Sequence, residues 1–530
     1  MRPFWLRRSW LLWLFLVGWL YLAVAGSNAQ ELRILHINDW HGWAEPSPAR
    51  QPDERLGGAA ALAYQIKLRR QEKPSLLLAA GDMLQGSVWA NFTRGQASLA
   101  LLQAMGVDAM VVGNHEFDFG LAVLEERLRE ARFPMLGANV QGVPGLLPLV
   151  IKKVAGVRLA IIGVVTPQTS ILTTIQPPGQ VRFLPPDLTV EKYLPQVRAQ
   201  ADLVVVLSHL GLAADRHLAK RVKGIALIVG GHSHDRLDTP EVVGETLIVQ
   251  AWEHGKTLGI VDLEVQGGKI KAYRAWLQDI PAAGPQDPVV QEMVAQQETA
   301  GHAALSQVVG QAAASLDGER VRWEETALGN WLADVARAAT GADMAILNGG
   351  GIRSSLPAGP IRLRHLYELL PYENHLVTLE VPGRTLRQVL EHGLSALPRP
   401  AGRFLQVSGL QVQYDPTAAP GRRLVWVFVG GQPLAADRLY TLTTVDFLAS
   451  GGDGYWMLAA QWPPGDGAKV RRSAQPFREI VRESLAVTGE VNPPPRGRLQ
   501  PMSGEAGRGE IKEKGGNREQ IEEMPRQQPR

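Results

Sequence analysis

The sequence predicts two units in series: a layered α/β domain over residues 31–282 and a smaller α+β domain over residues 305–500. Three observations carry this. The chain has 530 residues, more than one hydrophobic core ordinarily organises. From residue 31 to about 275, short apolar runs alternate with helical segments, which is the pattern of an α/β layered domain. Beyond about residue 305 helices and strand-like runs follow in mixed order, which suggests α+β. With 45% hydrophobic and 20% charged residues, the chain is neither wholly disordered nor collagen-like. It has no cysteine, which excludes disulfide staples, thiolate metal sites, a cysteine nucleophile and a lipoprotein anchor.

The first element is a leader. Arg2, Arg7 and Arg8 precede an apolar run over residues 10–25, and Ser27-Asn28-Ala29 or Ala23-Val24-Ala25 offers a cleavage site. Residues 1–29 are therefore expected to be a signal peptide, and the rest of the chain periplasmic or extracellular. The alternative is an uncleaved anchor, although the run falls short of the roughly 20 residues that span a bilayer. The leader also explains the charge. The formal total is +3, and residues 1–29 hold three arginines and no acid, so 3 − 3 leaves zero for the remainder. A near-neutral body gives no footprint for nucleic acid, and the partner expected is a small molecule.

Five apolar runs then end in polar clusters. Residues 32–37 lead to Asn38-Asp39-Trp40-His41, and 76–80 to Gly81-Asp82. Residues 110–112 lead to Gly113-Asn114-His115-Glu116, 203–207 to Ser208-His209, and 227–229 to Gly230-Gly231-His232-Ser233-His234. Runs this short, rich in Val, Ile and Leu and bounded by Gly, read as buried strands. Segments 121–131 and 213–222 read as helices between them. Each polar cluster thus sits at the carboxyl end of a strand, where open α/β sheets gather ligands.

A Gln/Ala/Glu-rich stretch follows, with Val289, Val290, Met293 and Val294 at helical spacing. It is expected to be a helical linker over 283–304; the alternative is a surface helix of the first domain. In the second domain, helices are expected at 328–339 and 385–395. Strands are expected at 344–347, 405–414, 424–428 and 439–444. Residues 501–530 are polar, with acids and bases interspersed, and are expected to be a disordered tail.

The strand ends of the first domain carry Asp39, His41, Asp82, Asn114, His115, Asp118, His209, His232 and His234, including five of the chain's twelve histidines. Imidazole, carboxylate and amide oxygen together are ligand chemistry for Zn, Mn, Co or Fe. There are enough donors for two divalent ions, with Asp82 able to bridge them. Two ions about 3.5–4 Å apart can activate water and stabilise a departing oxygen, which implies hydrolysis of a phosphoester or similar oxyanion ester. Any one element alone is an ordinary turn or cap; five independent strand ends with ligand-type residues are not. His36 within a strand and His217 on a helix fall outside this set, as does His254, which follows a strand and has a place near the site as its alternative reading.

These residues carry a resemblance. Ile34 through Gly42 (ILHINDWHG), Gly81 through Ser87 (GDMLQGS), Gly113 through Gly120 (GNHEFDFG), Ser208-His209 and Gly230 through His234 (GGHSH) resemble the exported 5′-nucleotidase family within the calcineurin-like metallophosphoesterases. The resemblance covers residues 31–500 and implies a four-layer metallophosphoesterase β-sandwich flanked by helices, followed by a nucleotide-binding domain. It implies that Asp39, His41, Asp82 and His234 hold one metal and that Asp82, Asn114, His209 and His232 hold the other. Some relatives carry Gln where this chain has His234. His115 and Asp118 resemble the family's dyad, in which the carboxylate orients the imidazole and the imidazolium stabilises charge on the transferring phosphoryl group.

In the second domain, Asn348-Gly349-Gly350-Gly351-Ile352-Arg353 offers backbone N–H groups and a guanidinium fork to an anion. Leu370-Pro371-Tyr372-Glu373-Asn374 and Asp446 through Tyr455 (DFLASGGDGY) place aromatic rings beside turns. By composition alone both rings could be core. With Phe404 through Gly409 (FLQVSG), these strings resemble the nucleotide-binding domain of the same family. The resemblance implies that Tyr372 and Phe447 stack on the base, that Asn374 and Asp453 contact base or ribose, and that Arg353 and Arg322, with Arg320 near, bind phosphate. Asn348, Gly350 and Gly409 join the expected substrate set. One departure stands out: Glu324 occupies a position where many relatives carry arginine, and an acid there would repel a phosphate.

The function expected is an exported dimetal nucleotide phosphohydrolase, in which hydroxide polarised by both ions attacks the phosphorus of a nucleoside 5′-monophosphate. The alternatives are a 2′,3′-cyclic nucleotide phosphodiesterase/3′-nucleotidase or a UDP-sugar hydrolase. Further off stand a thiosulfohydrolase, against which the aromatic pair argues, and an inactive binding protein, against which the intact ligand set argues.

Overall fold

The structure is a computed structural model that describes residues 29–49, 54–173, 180–459 and 471–502. The expected leader, apart from Ala29, and the expected tail beyond Met502 lie outside the described residues. Among the described residues no helix is long and apolar enough to cross a membrane.

Two six-stranded sheets form the first domain. One runs Lys269–Asp279, Thr257–Gln266, Gln30–Ile37, Ser75–Ala79, Ala109–Val111, Met135–Leu136. The other runs Glu241–Val243, Thr246–Gln250, Leu227–Gly230, Leu203–His209, Val157–Val165, Leu149–Val154. Within each sheet the strands whose ends carry the polar clusters run parallel to one another, which brings those ends to one side of the sheet. Side chains alternate between faces along a strand. Leu32, Ile34, Leu76 and Leu78 accordingly meet Ile161, Val205, Leu207 and Val229 between the sheets. Leu35, Ile37, Leu77 and Ala79 point the other way, under the helices Ala59–Glu72, Gln96–Met105 and Leu121–Glu130. Ala160, Ile162, Val204 and Val206 lie under Pro186–Arg198 and Leu212–Arg221. The result is the expected helix–sheet–sheet–helix order of four layers. Each fully buried Leu, Ile or Val contributes about 1.5–3 kcal/mol.

His36 and His217 fall where the sequence reading put them, outside the site. His217 is exposed on its helix. His36 is buried in its strand opposite Gly259, where a Cβ would lie 2.0 Å from His36 Nε2. Burial pushes His36 down to about 3, so it is a neutral packing group at neutral pH.

The second domain is built on a five-stranded sheet, Leu405–Ser408, Met344–Asn348, Leu439–Val445, His375–Pro382, Arg471–Pro476. Helices Ala327–Thr340, Gly383–Leu394 and Phe477–Thr488 share its core. The expected single strand at 405–414 is two strands in different sheets. Gly409, at φ +74, turns the chain from Leu405–Ser408 to Leu410–Tyr414, and a Cβ there would meet the Asp343 carbonyl at 2.3 Å. Leu410–Tyr414 joins a four-stranded sheet whose edge, Leu499–Pro501, takes in the first residue of the expected tail.

Between the domains runs the helix Pro288–Ser306, capped by Asp287, whose side chain accepts from the Val289 and Val290 N–H groups. Val290, Met293 and Val294 pack into the first-domain core, and Gly301 lies against Trp89. The helix is thus fastened along the first domain before the chain enters Val308–Ala312 of the second.

Candidate active site

Backbone strain marks the strand ends. Asp39, His41, Asp82, His232 and His234 all have positive φ, between 49° and 79°. A residue with a β-carbon pays for that conformation, and such residues gather where surrounding structure holds them for a purpose. The flanking glycines make room. A Cβ on Gly81 would lie 2.4 Å from His209 Nδ1, and one on Gly113 would lie 2.1 Å from Asp82 Oδ1. The Gly-Asp and Gly-Asn-His strings are therefore glycine-containing because a neighbouring donor group packs directly against the backbone.

Six of the seven expected ligands gather in two groups. Donor atoms of Asp39, His41 and His234 lie within 4.8 Å of one another, and so do those of Asp82, His209 and His232. Asn114 Oδ1 is buried without a hydrogen-bond partner in the protein, and a cation would satisfy it, while His209 Nε2 lies 3.0 Å from Asp82 Oδ2, close enough for both to face one ion. Tautomers are fixed from behind. His41 Nδ1 is 2.8 Å from the Gln85 carbonyl and His209 Nδ1 is 2.7 Å from the Ala80 carbonyl, so Nδ1 donates and each Nε2 lone pair faces inward. The field points the same way. Burial opposes charge on His209 and His234, yet Asp82 raises the first to about 9, and Asp39 with Glu253 raises the second to about 10. Burial and the neighbouring His209 push His232 down to about 4. Carboxylates that favour positive charge this strongly, with inward lone pairs, fit two divalent ions.

The expected dyad forms. His115 Nδ1 lies 2.7 Å from Asp118 Oδ2, and Thr173 Oγ1 donates to Asp118 Oδ1 at 2.6 Å. The His115 backbone N–H donates to Asp82 Oδ1 at 2.9 Å. Burial disfavours an imidazolium here, but Asp118 and Asp82 outweigh it and hold His115 well above the usual range.

A cavity of about 500 Å³ joins the two domains. Asp82, Asn114, His115, Asp118, His232 and His234 line it from one side, and Arg322, Asn348, Gly350, Tyr372, Asn374, Phe447 and Asp453 from the other. The Tyr372 ring stacks on His115, with centroids 6.3 Å apart and planes 15° apart. Asn348 Nδ2 donates to Asp453 Oδ2 at 2.6 Å, which fixes the second carboxylate. Burial holds Arg322 below the usual guanidinium range, and Arg353 beside it acts in the same direction.

Three expected residues are placed differently. Gly409 lies at the sheet switch described above and does not line the cavity. Arg353 is exposed beside Arg322 and not on the cavity wall. Arg320 is drawn away by Asp317 and Glu324. Glu324 itself is held by Arg496 and Arg320 and does not line the cavity, so the repulsion anticipated from the sequence has no target.

Other contributors were missed. Glu116 accepts the N–H groups of Asp82, Met83, Leu84 and Gly113, at 2.6–2.9 Å, and ties two ligand loops together. Its place within the GNHEFDFG string was the available signal. Asn38 donates to Asp39 Oδ2 at 2.7 Å. His254, set aside by the sequence reading, has its ring 5.8 Å from that of His41 and 6.2 Å from that of His234. Asp446, the first residue of the DFLASGGDGY string, also lines the cavity, as do Thr173 and Arg472, whose local sequence carries no such signal.

Residues 32–236 match the calcineurin-like phosphoesterase family, and residues 308–460 match the 5′-nucleotidase C-terminal domain. The chain is 30% identical over 528 residues to the snake venom 5′-nucleotidase of Naja atra, covering 88% of this chain and 98% of that protein. The chain belongs to the 5′-nucleotidase family. Members of this family are hydrolases of the metallophosphoesterase type, and so is this enzyme. It is also 30% identical to the trifunctional nucleotide phosphoesterase of Bacillus subtilis over 89% of this chain, but spans only 35% of that longer protein. Among solved structures, the 5′-nucleotidase precursor from Thermus thermophilus is similar at 33% identity and a TM-score of 0.71, covering 89% of this chain and all of that one.

Proposed function

We propose that this 5′-nucleotidase family member releases phosphate from nucleoside 5′-monophosphates outside the cytoplasm, using two divalent ions of the Zn, Mn or Co class. One observation carries the reading: members of both ligand groups, His234 of one and Asp82 and His232 of the other, line the same cavity as the aromatic residues Tyr372 and Phe447. A base stacked on those rings puts its 5′-phosphate toward the ligand groups. The leader carries the compartment.

In this reading Asp39, His41, Asp82 and His234 hold one ion, and Asp82, Asn114, His209 and His232 the other. Such ions supply Lewis acidity and an activated water at neutral pH. The protein does the remainder. Asp118 accepts a hydrogen bond from His115 Nδ1 and leaves Nε2 to meet the phosphoryl oxygens, where the imidazolium offsets developing negative charge. Arg322, in a partly desolvated position with Arg353 behind it, favours an anion between the domains. Asn374 and Asp453 contact base or ribose, and Gly350 lets the backbone approach the ligand closely.

The test is a screen of hydrolysis, with the products separated and quantified, across nucleoside mono- and diphosphates, 2′,3′-cyclic nucleotides and UDP-glucose, with Mn, Co and Zn each added. AMP is expected to lead. A cyclic nucleotide or UDP-glucose turned over faster than any 5′-monophosphate would replace this substrate assignment. Tyr372→Ala and Phe447→Ala are each expected to raise KM for AMP about 10- to 100-fold, since base–aromatic stacking contributes about 1–3 kcal/mol. Hydrolysis of p-nitrophenyl phosphate by the same variants should hold within about threefold, because the stacking energy is not engaged.

A further inference from the structure

Glu253 sits in the turn after Thr246–Gln250, and its two carboxylate oxygens are used separately. Oε2 lies 2.6 Å from His234 Nδ1. Oε1 accepts from Lys256 Nζ at 2.7 Å. Lys256 is buried, and its ammonium lies 4.6 Å from the centre of the Trp252 ring, so the carboxylate is held by a group that is itself fixed.

An imidazole offers a lone pair only at the nitrogen that lacks the proton, and the partner of the other nitrogen decides which that is. For His41 and His209 the partner is a backbone carbonyl. For His234 it is the Glu253 side chain. The difference matters because a carboxylate carries a full charge and makes the opposite nitrogen a stronger donor. That nitrogen, Nε2, faces Asp39 Oδ1 at 3.3 Å and His41 Nε2 at 3.4 Å. The backbone of this turn is tied to the same group, since the His254 N–H donates to the Asp39 carbonyl at 2.8 Å.

We propose that Glu253, held by Lys256, is a positioning residue that presents His234 Nε2 to a divalent ion shared with Asp39 and His41, and that retention of this ion depends on it. The inference rests on the dimetal reading given above. It goes further by assigning His234 a charged support where His209, at the other position, has a backbone carbonyl.

Equilibrium dialysis of the full chain against Mn²⁺, with metal content per chain measured, tests it. The unaltered protein is expected to bind two Mn²⁺. In Glu253→Ala one ion should bind about 10- to 100-fold more weakly while the other is unchanged, the range seen when a ligand's supporting group is removed. Glu253→Gln should fall between, because its amide oxygen still accepts from Nδ1 but carries no charge. Raising Mn²⁺ in the assay should restore AMP turnover by Glu253→Ala, which a merely structural lesion would not allow. Two unchanged affinities, or equal loss at both positions, would overturn the proposal. Should Glu253→Ala fail to fold by thermal melting, Lys256→Met serves instead: selective weakening of one ion supports the role, and unchanged binding refutes it. If the unaltered protein binds no Mn²⁺, the dimetal reading fails first, and the proposal with it.

Discussion

Asp82→Ala should lower kcat/KM for AMP at least about 1,000-fold while the protein still folds. Several functions end on this one side chain. Its Oδ1 accepts the His115 backbone N–H at 2.9 Å, and its Oδ2 lies 3.0 Å from His209 Nε2. It is buried, so no water replaces what is removed. Losing one fixed electrostatic contact in a dry site already costs about 100- to 1,000-fold, and in the proposed function Asp82 would also help to hold both ions. The fold should tolerate the change because alanine keeps the backbone bonds of this loop, from the Asp82 N–H to Glu116 Oε2 at 2.9 Å and from the His41 N–H to the Asp82 carbonyl at 2.9 Å. Initial rates with a thermal melt on the same sample check both halves. Turnover within tenfold of the unaltered protein would remove Asp82 from the chemistry.

His115→Ala should lower kcat about 100- to 10,000-fold, with bound metal unchanged. The contrast with Asp82 is the point. His115 reaches Asp82 through its backbone N–H, which alanine keeps, so the ligand loop should stay in place. What disappears is the imidazole that Asp118 orients at 2.7 Å and that Asp118 and Asp82 keep charged. Phosphate release and metal content, measured together, check this. Loss of metal in parallel with activity would assign His115 a structural role instead.

Much of this was readable in the chain because the chemistry clusters at strand ends. Continuous apolar runs that end in Gly and polar residues mark Asp39, Asp82, Asn114, His209 and His232 as strand-end groups, and those strands are buried on both faces, between the sheets and under the helices; the four-layer order itself is what the family resemblance implied. What the sequence concealed was contact between distant segments. Nothing near Glu253 says that its carboxylate meets His234, and His254 was passed over because only the fold brings it beside His41. Gly409 shows the converse. It sits in a string that resembles a substrate loop, yet its positive φ serves a switch between sheets. Glu324 is similar: a local reading of its charge predicts repulsion, whereas Arg496, far along the chain, neutralises it.

Dependence on two bound ions is decided by phosphate release from AMP after the protein is stripped with a chelator and then given Mn²⁺, Co²⁺ or Zn²⁺. The stripped protein is expected to keep less than about 1% of the activity, and at least one ion should restore it, at two ions per chain. Full AMP turnover in the stripped protein, or none with any of the three ions, would contradict a dimetal nucleotide phosphohydrolase.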